Sequence, residues 1–193
     1  MPASATTIVP PMHTVPAGPA VVVLASGKGL RFLASGGSCH KLQALLAGRS
    51  VLEHTLQAVR DSGLPWYLVQ GAYAGMGDSI AAGVQATRNA SGWLILPADL
   101  PLIQADTLRR VATALQSSVV AYPVYCGQRG HPVGFSAVCG DALAALSGDR
   151  GAAAVLRHWS AKATAVPVDD RGVVFDIDQV ADLEAAKKYR PDA

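Results

Sequence analysis

The chain has 193 residues, of which 50% are apolar and 16% are charged, as expected of one globular domain with a large core. This composition excludes intrinsic disorder, collagen-like repeats and coiled coils. Sixteen basic and fourteen acidic residues give a net charge of +2, and there is no Lys/Arg stripe, so no nucleic-acid partner is expected. No apolar run reaches the roughly 18 residues of a membrane helix, so no membrane partner is expected either.

The first 18 residues contain four prolines and neither lysine nor arginine. They lack the apolar centre of a signal peptide. We expect residues 1–18 to form a disordered tail and residues 19–193 to form the domain. The three cysteines, Cys39, Cys126 and Cys139, have no metal-like spacing, which favours free thiols in a reducing compartment. These features predict a cytoplasmic protein.

Apolar strands and helices alternate from residue 20 onwards. Residues 20–24 form a β-branched run typical of a strand buried on both faces. Further strands are predicted at 66–69, 93–96, 118–124, 133–136, 164–168 and 173–177, and helices at 50–63, 75–89, 106–116, 140–146, 150–159 and 180–189. This order, without repeat or linker, predicts a single three-layer α/β/α domain with a mostly parallel, Rossmann-like sheet. Ligands of such sheets bind at the carboxyl ends of the strands.

A glycine-rich loop, Ala25–Phe32, directly follows the first strand. Bare backbone amides at Gly27 and Gly29 would form an anion cradle, and Arg31 and Lys41 add two cations suited to a triphosphate. The loop has neither the Rossmann G-x-G-x-x-G fingerprint nor a P-loop. The alternative is a plain strand-to-helix turn with solvated cations.

Carboxylates follow two of the predicted strands. Asp99 stands between two prolines after the strand at 93–96, where it is either a turn residue or the ligand of a cation. A Mg²⁺ ion needs only one or two such carboxylates besides substrate phosphates. Asp176 and Asp178 share one face if the last strand continues, and Asp178 either caps the final helix or completes the metal site. His131 lies in a predicted loop, where it is either a solvent-exposed or locally bonded histidine or a substrate contact.

Together these motifs follow the order found in one enzyme family. They are Leu24-Ala25-Ser26-Gly27-Lys28-Gly29-Leu30-Arg31-Phe32, Lys41, Gly75-Met76-Gly77-Asp78-Ser79, Asp99-Leu100-Pro101, Gly127-Gln128-Arg129-Gly130-His131-Pro132-Val133 and Asp176-Ile177-Asp178. From about residue 20 to 188 the chain resembles the MobA-like nucleotidyltransferases, and most closely their molybdenum cofactor cytidylyltransferase branch. Two features depart from the family pattern: Ser26 replaces an alanine or glycine, and the loop before Lys41 is longer than usual.

The resemblance implies a Mg²⁺-dependent transfer of CMP from CTP to a phosphorylated acceptor of the molybdopterin type, with release of pyrophosphate. It implies catalytic roles for Arg31, Lys41 and Asp99, and metal binding by Asp99 with Asp178, or with Asp176 in its place. The implied nucleotide- and substrate-binding residues are Leu24, Ala25, Ser26, Gly27, Gly29, Arg31, Lys41, Gly77, Ser79 and His131.

Several alternatives share these residues. The alternatives are guanylyl transfer and nucleotidyl transfer to a sugar or polyol phosphate, which relatives on the same fold carry out. An interpretation of a different class is a nucleotide-binding chaperone of molybdoenzyme maturation without turnover. A molybdoenzyme or its chaperone is the protein partner that either interpretation implies.

Overall fold

The computed structural model describes residues 18–189. The predicted tail over residues 1–17 and the last four residues of the predicted domain, 190–193, therefore lie outside the described residues. Gly18 already belongs to the fold, because its carbonyl accepts a hydrogen bond from the Ser91 N–H at 3.2 Å. Between residues 18 and 189, no helix has both the length and the apolar character needed to span a membrane.

The described residues contain nine strands and seven α-helices. The strands are β1 Ala20–Leu24, β2 Leu45–Leu46, β3 Arg49–Ser50, β4 Trp66–Val69, β5 Gly92–Pro97, β6 Val120–Tyr125, β7 Gln128–Arg129, β8 Val133–Ser136 and β9 Ala163–Pro167. The helices are α1 Leu30–Ala34, α2 Val51–Ser62, α3 Met76–Ala86, α4 Ala105–Ala114, α5 Gly140–Ala144, α6 Ala153–His158 and α7 Val180–Lys187. Most predicted elements are present, within a few residues of their predicted bounds.

One mixed sheet of seven strands organises the domain, in the order β4-β1-β5-β8-β6-β7 with β9 paired to β6. Strand β1 runs parallel to both β4 and β5, and β6 runs parallel to β9. Strand β8 is antiparallel to both β5 and β6. The remaining strands, β2 and β3, form a separate hairpin. The prediction of a mostly parallel sheet is confirmed.

Helices cover both faces of the sheet. Along β1, Val21 and Val23 pack into one apolar cluster with residues of α2, α4 and α7, whereas Val22 packs into a second cluster with residues of α3, α5 and α6. This alternation is the period of two expected of a strand buried on both faces. The three-layer α/β/α architecture is therefore confirmed.

The strand predicted at residues 173–177 is absent, and this prediction was wrong. Residues 171–174 form a 3₁₀ helix instead. The buried Asp170 carboxylate accepts hydrogen bonds from the Gly172 N–H (2.8 Å), the Gln104 N–H (3.0 Å) and the Thr107 hydroxyl (2.6 Å). The Asp170 carboxylate thus satisfies the Gly172 N–H within the segment and ties the segment to the start of α4. The segment therefore does not need a strand partner.

Of the two alternatives for Asp178, capping of the last helix is not observed. Gln179 is the N-cap of α7. The Asp182 carboxylate accepts the N–H groups of both Gln179 (2.7 Å) and Asp178 (3.0 Å). The Val180 N–H, a donor that a cap at position 178 would accept, bonds to the Ser35 hydroxyl oxygen at 3.0 Å. The Asp178 side chain is therefore free to face another part of the molecule.

Two shorter elements depart from the predicted loops. The glycine-rich loop runs into the helix α1, and the predicted loop at 127–132 contains β7, which pairs with the end of β6. Both changes lie beside the carboxyl edge of the sheet, where they shape the candidate site.

Candidate active site

The carboxyl ends of β1 and β5 lie side by side and open into one cavity. Leu24 is paired with Pro97 across the two parallel strands, so the chain leaves both strands at the same edge of the sheet. The cavity there has a volume of about 810 Å³. Ten of the residues predicted for the site line it, namely Leu24, Ser26, Gly27, Gly29, Arg31, Lys41, Ser79, Asp99, His131 and Asp178.

Two residues predicted to bind the nucleotide lie behind the cavity wall. The Ala25 N–H donates to the Val69 carbonyl at 2.9 Å, which fixes the start of the glycine loop on the sheet. The Gly77 N–H donates to the Gly148 carbonyl at 2.8 Å. A Cβ at position 77 would lie 2.7 Å from the Arg150 carbonyl oxygen, so glycine allows this close approach of α3 and the following loop.

Backbone donors of the glycine loop point to an anion-binding role. Within residues 18–189, the N–H groups of Ser26, Gly27, Lys28 and Gly29 have no hydrogen-bond acceptor. Gly29 has a φ of 63°, in the left-handed region that favours glycine. Successive free N–H groups in a turn are the usual cradle for phosphate oxygens.

Lys41 lies at the centre of the site. Its Nζ lies 2.6 Å from Asp99 Oδ2 and 2.8 Å from Asp178 Oδ1, and only 13% of its side chain is exposed. Burial by itself lowers the pKa of Lys41, but Asp99 and Asp178 outweigh burial and hold that pKa above its usual value. The hydrogen bond from Lys41 lowers the pKa of Asp178. Lys41 is therefore a fixed ammonium between two carboxylates.

Arg31 reaches the same carboxylate from the solvent side. Its Nη1 lies 2.8 Å from Asp178 Oδ2, while 80% of its side chain is exposed. An ion pair this exposed contributes little to stability. The guanidinium can exchange Asp178 for an anion in the cavity at small cost.

Three carboxylates converge beside Lys41. Ligand oxygens of Asp99, Asp176 and Asp178 all lie within 4.8 Å of one another. Asp99 Oδ1 is buried and has no hydrogen-bond partner among residues 18–189. A buried carboxylate oxygen without a donor is unfavourable unless a cation satisfies it. Because hard oxygen donors suit Mg²⁺ and Mn²⁺, these residues fit a divalent metal ion.

The position of Asp176 in this cluster is set by the anchored backbone of the next residue, Ile177. Desolvation, followed by repulsion from Asp99 and Asp178, raises its pKa. The ionised carboxylate of Asp176 therefore destabilises the metal-free fold. Ile177 between Asp176 and Asp178 is fully buried and donates its N–H to the Asp99 carbonyl at 3.0 Å. This anchor brings both aspartates to Asp99 without a strand.

Asp176→Asn is expected to raise the melting temperature of the metal-free protein near neutral pH. Removing a mostly solvent-screened repulsion is worth about 0.5 kcal/mol, or about 1–2 °C. A raised pKa in the folded state makes the ionised form costly above that pKa, so the gain should shrink as the pH falls towards about 4. Thermal melts of the wild-type and variant proteins between neutral pH and about pH 4 measure this gain. The exposed Asp169→Asn variant is the control, and a gain equal to that control at every pH would contradict the prediction.

His131 lies against the carboxylates from the β7–β8 side. Its backbone N–H donates to the Val173 carbonyl at 2.8 Å, and its Nδ1 is buried without a partner among the described residues. Burial lowers the pKa of His131, and the opposing effects of Asp99 and Asp176 do not outweigh it. The imidazole is therefore neutral at neutral pH, and it presents a cavity-lining polar group. This position excludes a simple solvent-exposed histidine.

Ser26 connects the glycine loop to α3. Its hydroxyl oxygen lies 2.6 Å from that of Ser79, which is buried and lies 3.2 Å from the Gly75 carbonyl. If Ser79 donates to that carbonyl, its single proton is used, and Ser26 is the donor in the bond between the two hydroxyls. The remaining lone pairs of Ser26 then face the cavity as acceptors.

Some residues in or beside the cavity were not predicted from the sequence. His40, next to Lys41, lies outside the cavity and donates from its ring to the Gly27 carbonyl at 2.7 Å. Tyr73, Asp149 and Arg129 line the cavity. Of these, Arg129 lies inside the motif at 127–133 and was the only one with a sequence signal. The other three come from loops that only the fold brings to the site.

A family match agrees with this geometry. The family model of the MobA-like NTP transferase domain matches residues 56–165, more than half of the chain. The chain belongs to the MobA-like NTP transferase family. It is thus a nucleotidyltransferase, which decides against a chaperone without turnover.

This MobA-like transferase is also similar to a curated protein and to solved structures. The purine catabolism protein PucB of Bacillus subtilis is 30% identical over 125 residues, which are 63% of this chain and 60% of PucB. The chain thus matches less than two thirds of that relative's length. A nucleotidyl transferase from Methanothermobacter thermautotrophicus has a TM-score of 0.75 at 20% identity, covering 89% of this chain and 97% of the other. Rv0371c from Mycobacterium tuberculosis, in complex with manganese, has a TM-score of 0.68 at 22% identity, covering 89% and 98%.

These structures share the fold of this MobA-like transferase. Their identities are too low to carry over any residue's role. The glycine loop, Lys41 and the Asp176–Asp178 segment lie outside the matched residues 56–165. Their placement in one cavity with Asp99 is therefore an observation independent of the family match.

Proposed function

We propose that this MobA-like transferase moves CMP from CTP to a phosphorylated acceptor of the molybdopterin type and releases pyrophosphate. The observation that supports it best is a single cavity that holds free loop amides, two cations and three carboxylates. Such a site can bind a triphosphate and neutralise the charge that develops on transfer. The choice of acceptor and base rests on the resemblance of the sequence motifs to the cytidylyltransferase branch.

The proposed reaction is an in-line displacement at the α-phosphorus of the nucleotide. An oxygen of the acceptor's terminal phosphate forms the new P–O bond. The bond between the α-phosphorus and the bridging oxygen to the β-phosphorus breaks, and pyrophosphate leaves with the electron pair. No covalent enzyme intermediate forms, in keeping with the lack of a nucleophile motif in the sequence. Catalysis rests on positioning and on charge neutralisation.

The residues divide this work by position. Free N–H groups from Ser26 to Gly29 bind phosphate oxygens, and Arg31 and Lys41 neutralise the β- and γ-phosphates, with Lys41 leaving its carboxylate partners to do so. We place the acceptor phosphate beside His131, a neutral imidazole that lines the cavity.

Asp99 and Asp178, with Asp176 as a third ligand, would hold Mg²⁺. Bound there, the ion supplies Lewis-acid stabilisation of charge on the phosphate oxygens. Three points support this: the unpartnered Asp99 Oδ1, the all-oxygen ligand set, and the manganese complex of Rv0371c. We propose Mg²⁺ because it prefers a few carboxylates together with substrate phosphates.

The proposed base preference is CTP over GTP, with ATP third. Ser26 carries a Cβ, which narrows the pocket as the alanine of the cytidylyl branch does. Its acceptor lone pairs suit the exocyclic amine of cytosine or a ribose hydroxyl. A single steric difference of this kind gives a preference of about tenfold to two-hundredfold.

Competition kinetics with equal CTP and GTP measure the base preference. Ser26→Gly should erode it, because the Cβ is lost, while Ser26→Ala keeps the Cβ and is the matched control. An erosion that is equal in both variants would assign selectivity to the hydroxyl instead. A larger share of guanylylated product from the unmodified protein would contradict the cytidylyl proposal.

Pyrophosphate release tests the proposed activity. The protein is incubated with Mg²⁺ and CTP, with and without a reduced pterin phosphate acceptor, and parallel reactions contain sugar or polyol phosphates. We expect pyrophosphate only in the presence of the pterin acceptor and of the divalent ion. Release with a sugar or polyol phosphate alone would contradict the acceptor proposal but retain nucleotidyl transfer.

A further inference from the structure

His40 holds the glycine loop from outside the cavity. Its Nε2 lies 2.7 Å from the Gly27 carbonyl oxygen, and its Nδ1 accepts the Leu42 N–H at 3.2 Å. Because Nδ1 is an acceptor, the proton of the neutral ring is on Nε2. The ring is therefore a donor to Gly27 and an acceptor from Leu42 at once, and it ties the glycine loop to the segment that carries Lys41.

The His40 ring also contacts the backbone of Gly29. A Cβ at position 29 would lie 3.1 Å from two atoms of the His40 ring. The imidazole thus packs directly against the loop backbone, because Gly29 has no side chain in the way. Gly29 also has a φ of 63°, in the left-handed region that favours glycine. The His40 ring thus anchors the end of the loop over 33–40 to Gly27 and Gly29, while the Gly37 N–H donates to the Phe32 carbonyl at 3.0 Å nearer its start.

The bond to Gly27 fixes the orientation of the next peptide N–H. In a planar trans peptide, the Gly27 carbonyl and the Lys28 N–H point in opposite directions. The carbonyl points to His40, so the Lys28 N–H points away from it. Gly27, Lys28 and Gly29 line the cavity. The Lys28 N–H has no acceptor within residues 18–189.

We propose that His40 is a positioning residue that locks the Gly27–Lys28 peptide with its N–H turned towards the triphosphate. Without the Nε2 donor, this peptide can rotate and present its carbonyl oxygen to the phosphate, where like partial charges repel. His40 acts through the Lys28 amide and touches neither nucleotide nor metal. This inference rests on the proposed binding of a nucleoside triphosphate by the glycine loop.

Two substitutions of similar shape separate the two hydrogen bonds of His40. In His40→Gln, the amide nitrogen of the new side chain lies near the position of Nε2, so this variant keeps the donor to Gly27. His40→Asn places an acceptor near the position of Nδ1, so it keeps the bond from the Leu42 N–H and loses the donor. A role limited to capping the 3₁₀ helix at 41–43 predicts that His40→Asn is the milder change. The positioning role predicts the opposite.

Nucleotide binding by titration calorimetry, with Mg²⁺ and either CTP or GTP, is the test. His40→Asn should bind about tenfold more weakly than wild type, as expected for the loss of one N–H contact to an ionised phosphate. His40→Gln should retain most of the wild-type affinity for the nucleotide. In proton–nitrogen correlation spectra, the Lys28 amide proton should move downfield on nucleotide binding in wild type and His40→Gln, and remain in place in His40→Asn. Thermal melts identify any variant that does not fold.

The outcomes separate this inference from the function on which it rests. Equal affinities in all three proteins, or weaker binding by His40→Gln than by His40→Asn, would overturn the positioning role while the proposed function stands. A wild-type protein that binds neither CTP nor GTP would overturn both.

Discussion

Asp99→Asn is expected to lower kcat/KM for nucleotidyl transfer by about 10²–10³-fold, since loss of a charged metal ligand removes several kcal/mol of transition-state stabilisation. Asp99 offers a buried oxygen without a donor among the described residues and lies within 4.8 Å of two further carboxylates. The fold should survive, because the Asp99 carbonyl that accepts the Ile177 N–H is a backbone group. The amide oxygen of asparagine remains a weaker ligand.

Steady-state kinetics over a range of Mg²⁺ concentrations measure this effect. The concentration of Mg²⁺ that gives half-maximal rate should rise along with the loss of turnover. Asp106→Asn, at an exposed surface ion pair with Arg109, is the matched control and should leave both values unchanged. Turnover by Asp99→Asn at the wild-type rate would reduce Asp99 to a turn residue and remove the metal assignment.

Lys41→Ala is expected to weaken binding of the Mg²⁺–triphosphate by about tenfold to a hundredfold, the value of a charge-assisted contact. The same change should strengthen binding of Mn²⁺ in the absence of nucleotide. Removing the ammonium frees Asp99 Oδ2 and Asp178 Oδ1 for the ion, and it removes a competing positive charge. One substitution thus moves two affinities in opposite directions.

Calorimetry for the nucleotide and electron paramagnetic resonance for Mn²⁺ measure the two affinities. Lys187→Ala removes a lysine that is paired with Glu184 on the surface, and it controls for the loss of one charge. Unchanged nucleotide affinity in Lys41→Ala would limit Lys41 to neutralising carboxylates in the empty site.

Local patterns in the sequence were sufficient for the framework of the fold. The β-branched run at 20–24 and the buried strand before Asp99 have the signature of central parallel strands, and both are present. Ser50 and Gly63 bound α2 as predicted: the Ser50 hydroxyl accepts the Glu53 N–H, and Gly63 has a φ of 71°. These features are set by residues that are close along the chain, which is why the pattern alone could find them.

Features set by distant residues were not predictable in the same way. The segment at 173–177 alternates like a strand, but Asp170 bonds 66 residues back to the Gln104 N–H and holds a 3₁₀ helix there. Asp178 has the sequence context of an N-cap, yet the Val180 N–H bonds to the distant Ser35 hydroxyl and Asp178 pairs with Lys41. Tertiary bonds override local preference in both cases.

Among the site residues, those in sequence motifs could be predicted, whereas the bonds of those in loops could not. Lys41 and Asp99 carry charge at unusual positions, and the sequence singled both out. His40 acts through a ring proton on a carbonyl 13 residues away, and nothing in its sequence context marks that bond. The partnership of Lys41 with Asp99 and Asp178, in place of a lone phosphate-binding lysine, also required the structure.

Transfer of label from CTP tests the central claim most directly. The protein is given Mg²⁺, the pterin phosphate acceptor and CTP labelled at either its α- or its γ-phosphorus. We predict that α-label appears in the acceptor product and γ-label appears in pyrophosphate, in equal amounts, and that neither transfer occurs with Asp99→Asn at a comparable rate. Transfer of γ-label to the acceptor, or release of labelled phosphate regardless of acceptor, would contradict nucleotidyl transfer at this site.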